Sequence, residues 1–104
     1  MSGLLHRILY RLLPLEGYLR VVSSLFFLWH RLGLGRRSEA LEYVYHLPRL
    51  VRAGDVCIDI GANLGYYART LARLAGPEGR VYAVEPVAPV RKVLSRNLRR
   101  CVNT

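Results

Sequence analysis

Gly54-Asp55-Val56-Cys57-Ile58-Asp59-Ile60-Gly61-Ala62-Asn63-Leu64-Gly65 is the most informative run of the chain. Val56 to Ile60 is a short apolar segment broken by one acid, which predicts a strand, and the glycines after it predict a tight turn. Ala68, Leu71, Ala72 and Ala75 then recur at helical spacing, with Arg69 and Arg73 between them, until Gly76-Pro77-Glu78-Gly79 ends the helix. Val81-Tyr82-Ala83-Val84 predicts a second strand, stopped by Glu85 and Pro86. Pro89 stands near the start of a last helix that carries Val90, Val93, Leu94 and Leu98. Strand, glycine turn, helix, strand and helix make a right-handed βαβ unit whose strands are both apolar enough to lie buried in a parallel sheet.

Upstream the texture is helical. Leu4, Leu5, Ile8, Leu9, Leu12 and Leu13 recur at helical spacing with His6, Arg7 and Arg11 off that stripe, and Pro14 interrupts the pattern. A second apolar segment runs from Tyr18 to His30 with Arg20 its only charge. Its longest charge-free part, Val21 to His30, is far shorter than the ~20 residues of a membrane-spanning helix. Gly33 and Gly35 stop this helix, Ser38 is the expected N-cap of a third with Glu39 and Glu42 in its first turns, and Pro48 closes that one. Glu16, the arginines and Pro14 ahead of the apolar segment argue against a secretory signal. The expected organisation is a helical extension over residues 1–48 and the first half of a Rossmann-like domain over 49–104.

The chain has 104 residues and 52% of them are hydrophobic, which is one domain at most and excludes a disordered chain. Sixteen Lys and Arg against seven Asp and Glu give a formal net charge of +9. Lys92 is the single lysine, and the arginines are spread along the chain with no aromatic-interleaved stripe or reading motif, so nucleic acid is not expected as a partner. Cys57 and Cys101 form no disulfide framework and pair with none of His6, His30 and His46 at a zinc-ligand spacing. A reducing, cytoplasmic compartment and no metal are expected. The first two helices either pack on the following domain or lie in a membrane surface with their arginines at the headgroups, giving a peripheral contact through residues 1–32.

At the end of the first strand Asp59, Gly61 and Gly65 form D-x-G-x-x-x-G, where missing side chains let the backbone amides at the helix start approach a ligand. At the end of the second stands Glu85, placed to accept both hydrogen bonds of a ribose diol. A pyrophosphate turn has an apolar residue before its first glycine; Asp59 there would set a carboxylate against phosphate, so a nucleoside with a cationic centre suits the site better. S-adenosylmethionine, with its sulfonium and amino group, is such a ligand. Cys57, alternating with Asp59 inside the strand, reads as a small core residue.

The run from Gly54 to Tyr67, followed by Gly79-Arg80-Val81-Tyr82-Ala83-Val84-Glu85-Pro86, resembles the first half of FkbM-type S-adenosylmethionine-dependent methyltransferases. The resemblance covers about residues 50–100 and is carried by Asp59-Ile60-Gly61-Ala62-Asn63 with the aromatic pair Tyr66-Tyr67, and by Ala83-Val84-Glu85-Pro86. It implies an incomplete class I methyltransferase fold of α/β class. It also implies that Asp59 and the backbone of Gly61, Ala62, Asn63 and Gly65 hold the methionine end of the cofactor while Glu85 holds its ribose. One of Tyr66 and Tyr67 is expected on the sheet and the other at the wall of the cofactor pocket. The implied reaction is methyl transfer to a hydroxyl of a small molecule or sugar.

Such a domain has about seven strands and this sequence supplies two, so apolar sheet would be exposed, and the acceptor pocket and general base lie outside these residues. No catalytic residue is therefore named, and these residues alone are expected to be inactive. Two other readings compete. A nicotinamide- or flavin-binding Rossmann enzyme fits Glu85 but not the Asp59 turn. A basic membrane-surface or interaction module would be built on the first two helices.

Overall fold

Val56–Ile60 forms β1 and Arg80–Val84 forms β2, and the two pair in parallel with Val56 opposite Arg80 and Ile60 opposite Val84. The connection between them is the helix α4, Tyr66–Ala75, and α5, Ala88–Asn97, follows β2. These elements come from a computed structural model that describes residues 3–34 and 42–104. Upstream lie α1, Gly3–Leu12, α2, Leu15–Arg31, and α3, Glu42–His46, which runs into a 3₁₀ turn at Leu47–Arg49. The βαβ order expected from the glycine and proline punctuation is therefore observed, as a mixed helix and strand fold with a two-stranded parallel sheet.

Small residues set the distance between α4 and the sheet. Ala68, Ala72 and Ala75 are buried on one face of the helix, so its backbone lies close over Cys57, Val81 and Ala83. Leu94 and Leu98 of the α5 region close the same cluster from the other side. Each such aliphatic side chain contributes roughly 1.5 to 3 kcal/mol on burial. Where α4 ends, the Gly54 N–H donates to the Ala75 carbonyl, and the Gly79 backbone passes close to the carbonyls of Ala75 and Asp55. The Arg80 N–H donates to the Asp55 carbonyl at 3.0 Å, so the segment leading into β1 and the start of β2 are locked together.

The expectations for the strands and the upstream helices need correction or placement. The strands are buried on one face only: Val56, Ile58, Ile60, Tyr82 and Val84 point away from α4 and α5 and are exposed, Ile60 at 83%. Period-2 alternation carries both sets of side chains, and among the described residues nothing packs over the second set. The second helix begins at Leu15, ahead of the apolar segment it contains, because Pro14 (φ −60°, ψ 155°) is extended, cannot continue α1 and stands at the N-cap of the new helix. Pro48 lies within the 3₁₀ turn that follows α3. The stop assigned to Gly35 and the cap assigned to Ser38 and Glu39 fall outside the described residues.

α2 packs on the βαβ unit. Its buried Ser23 accepts a hydrogen bond from Asn97 of α5, its Phe26 ring lies 4.0 Å from the Tyr66 ring of α4, and its Glu16 pairs with Lys92 at 3.0 Å. α1 folds back on the start of α2, where the Tyr18 hydroxyl meets His6 Nδ1 at 2.8 Å and the Tyr18 ring stands edge-on to Tyr10. No described helix is long and apolar enough to cross a membrane. After α5 the chain returns to the outer edge of β2, where the Asn103 carbonyl accepts the Val81 N–H at 2.8 Å. The buried Asn103 amide donates to the carbonyls of Ala72 and Gly76 and ties this segment to the end of α4.

Candidate functional site

The turn from Gly61 to Gly65 makes three left-handed steps, at Gly61 (φ 76°), Asn63 (φ 52°) and Gly65 (φ 96°), which only glycine and, at some cost, asparagine adopt readily. These steps point successive N–H groups back into the protein. The N–H groups of Gly61 and Ala62 both donate to the Val84 carbonyl at 2.9 Å, that of Asn63 donates to Glu85 Oε2 at 3.0 Å, and that of Gly65 donates to the Ala62 carbonyl. Of these four amide donors expected to face a ligand, three hold the turn against the end of β2 and the fourth closes the turn on itself.

The two glycines do different work. A Cβ on Gly61 would meet nothing within 4 Å among the described residues, so the turn is open there to an approaching group. A Cβ on Gly65 would lie 3.2 Å from a Leu94 methyl, and the residue is buried. The expectation that Gly65 opens the backbone to a ligand is corrected: its missing side chain lets α5 pack under the turn. The Ala62 side chain is likewise in the core, leaving only its backbone at the turn, whereas Asn63 is exposed.

Asp59 projects from the α4-covered face of β1. Burial raises its pKa above the ordinary carboxylate value, opposed by the backbone N–H of Ala68, which faces it from the first turn of α4. Its Oδ2 is buried and has no hydrogen-bond partner among the described residues. An orphaned carboxylate oxygen is costly and calls for a donor or a positive charge.

Glu85 bridges the ends of the strands: Oε2 accepts from Asn63 and Oε1 accepts the Val87 N–H, each at 3.0 Å. Each oxygen keeps a second lone pair, so acceptor capacity for a diol remains after the turn is clamped. The loop after Glu85 is braced in turn by Arg91, whose guanidinium donates to the carbonyls of Glu85 and Pro86.

Of the aromatic pair, Tyr66 packs against Phe26 and Phe27 of α2, and burial raises its pKa. The pKa of Tyr67 is raised by burial and then by Tyr43 and Asp59. Cys57 is a half-buried thiol whose pKa is raised by burial and by Asp55, an inert environment.

Asn97 was not singled out from sequence. Its amide donates to the Leu64 carbonyl at 2.8 Å and to Ser23 Oγ at 3.1 Å, joining the turn, α5 and α2 at one side chain. The available signal was a polar residue placed between Leu94 and Leu98 on the packed stretch of the last helix.

The chain is similar to proteins named protein-L-isoaspartate O-methyltransferase. That of Methanothrix thermoacetophila is 38% identical over 71 residues, 66% of this chain and 34% of that protein. That of Aeropyrum pernix is 40% identical over 71 residues, 66% of this chain and 27% of that protein. The AMB antimetabolite synthetase AmbE of Pseudomonas aeruginosa is 41% identical over 61 residues, 58% of this chain but 3% of that protein. The chain spans about a third or less of the length of the curated relatives it matches. No family model matches, and no solved structure matches. The names carry the methyltransferase part of the resemblance seen in the sequence; the relatives described here do not carry its FkbM part.

Proposed function

We propose that this chain carries the cofactor-binding part of an S-adenosylmethionine-dependent O-methyltransferase. The observation that carries the reading is the balance of donors and acceptors at the turn. A pyrophosphate needs free N–H groups, and here those of Gly61, Ala62, Asn63 and Gly65 are held by Val84, Glu85 and Ala62. Beside them stand two acceptors, Asp59 Oδ2, unpartnered among the described residues, and the carboxylate of Glu85 with its second lone pairs. That inventory fits a cationic nucleoside and disfavours the nicotinamide or flavin dinucleotide.

In this reading the residues divide the ligand between them. Asp59 sets a carboxylate against the amino group, the open space at Gly61 admits the chain that carries it, and Glu85 accepts the ribose hydroxyls. Tyr67 closes the side nearest Asp59 and limits its access to water. When bound, S-adenosylmethionine supplies an electrophilic methyl group. The acceptor is an oxygen. The relatives' names favour one on an L-isoaspartyl residue of a protein; the likeness at Asp59-Ile60-Gly61-Ala62-Asn63 and Tyr66-Tyr67 favours a hydroxyl of a small molecule or sugar.

Calorimetry tests the cofactor directly: S-adenosylmethionine is expected to bind and NAD not to, and binding of NAD alone overturns the proposal. Transfer of a labelled methyl group to an isoaspartyl peptide, set against sugar hydroxyls, separates the two acceptors in the full-length protein.

A further inference from the structure

The arginines that look scattered in sequence are gathered by the fold. Arg31 of α2, Arg69 and Arg73 of α4, and Arg96, Arg99 and Arg100 at the end of α5 line one groove of about 1150 Å³. No described Asp or Glu lines it. The local potential is visible at His30, on the same groove, whose pKa is lowered by burial and then by Arg73 and Arg69.

An apolar stripe borders the groove. α2 packs inward through Ser23, Phe26, Phe27 and His30, which leaves Leu25, Leu28, Trp29 and Leu32 on the opposite face, all exposed, Leu32 at 63%. Leu28 belongs to both features: it lines the groove and is 52% exposed. α1 repeats the pattern, turning His6 toward Tyr18 and leaving Leu4, Ile8 and Leu12 exposed beside Arg7 and Arg11.

We propose that α2 docks the protein on an anionic lipid bilayer, its Leu25-Leu28-Trp29-Leu32 stripe entering the acyl boundary while the groove arginines hold lipid phosphates. Charge complementarity selects this occupant, and the stripe gives it the apolar component that guanidiniums alone lack. A single-stranded nucleic acid matches the charge but not the rest. The groove's aromatic rings already pack on protein partners, Phe27 on the Arg69 guanidinium 4.1 Å from its centroid, Tyr66 on Phe26, and His30 on Phe26 and Tyr45, and do not make a bare stacking row for bases. The docking does not depend on the cofactor reading.

Trp29 is the single tryptophan of the chain and sits in the stripe, so its fluorescence reads the contact without a label. Titration with phosphatidylcholine vesicles containing about a third phosphatidylserine is expected to blue-shift the emission, pure phosphatidylcholine much less, and about 0.5 M salt to reverse most of the effect. Leu28→Glu, on an exposed position, and the pair Arg99→Glu with Arg100→Glu are each expected to weaken vesicle binding about tenfold or more while the far-ultraviolet circular dichroism is unchanged. An unshifted Trp29 with the anionic vesicles overturns the proposal. So does vesicle binding that Leu28→Glu leaves intact, or binding of single-stranded RNA, lost with the arginine pair, by a protein that ignores vesicles.

Discussion

The carboxylate of Glu85, at the end of β2, accepts the backbone N–H of Asn63, in the turn after β1, at 3.0 Å. One acid therefore shapes the turn, and in the proposed function it also accepts the ribose hydroxyls, so substitutions there are expected to act on stability and binding together.

Glu85→Ala removes both backbone contacts and the diol acceptor. It is expected to weaken S-adenosylmethionine binding by about 1.5 to 3 kcal/mol, the range for hydrogen bonds to a charged group, and to lower unfolding stability as well. Glu85→Gln keeps one carbonyl oxygen and should fall between the two. Calorimetry paired with denaturant unfolding checks both; unchanged affinity in Glu85→Ala removes the ribose assignment.

Asp59→Asn is expected to stabilise the ligand-free protein at neutral pH. Because burial raises the folded pKa above the unfolded value near 3.8, the folded state binds more protons than the unfolded state across the interval between the two values. Stability therefore falls as pH rises through that window, and the ionised carboxylate is a net cost above it. The asparagine variant should lose this slope and bind a cationic cofactor more weakly. Unfolding curves of both proteins from about pH 4 to 7 read the slope as the difference between them; a variant whose stability relative to wild type does not rise with pH contradicts the assignment.

Gly65→Ala and Gly61→Ala separate packing from strain. Both positions have positive φ, which costs an alanine roughly 1 to 2 kcal/mol. At Gly65 the new methyl also meets Leu94 at 3.2 Å, whereas at Gly61 it enters open space, so Gly65→Ala should be the less stable. Gly79→Ala is expected to be worse than either, since its Cβ would fall 2.6 Å from the backbone carbonyls of Ala75 and Asp55. Thermal unfolding of the three variants ranks them.

Asn97→Ala leaves the Leu64 carbonyl and Ser23 without their donor, and Ser23 is buried. A loss of about 1 to 3 kcal/mol is expected. A double-mutant cycle with Ser23→Ala should show coupling, and strict additivity would mean the contact contributes nothing.

The elements were legible where local chemistry fixes them. Pro14, Gly76-Pro77 and Pro86 interrupt the periodic stretches, and Asp59 and Glu85 stand at strand ends because the strands stop beside them. What sequence could not assign was direction. Gly61 and Gly65 look alike in the motif, and only the approach of α5 makes one an opening and the other a packing surface. Read residue by residue, the turn amides face the ligand; in the fold Val84, more than twenty residues on, captures two of them. The arginine groove was invisible for a related reason, since residues 31, 69, 73 and 96 to 100 meet only after α2 has folded over α4 and α5.

The bare face of the sheet has a consequence for handling. Val56, Ile58 and Ile60 present an uninterrupted aliphatic row to water, and a second molecule or a chaperone finds there a surface that matches its own needs. Loss from solution should accelerate with protein concentration and with warming. For these residues on their own, persistence is then a matter of lifetime more than of equilibrium.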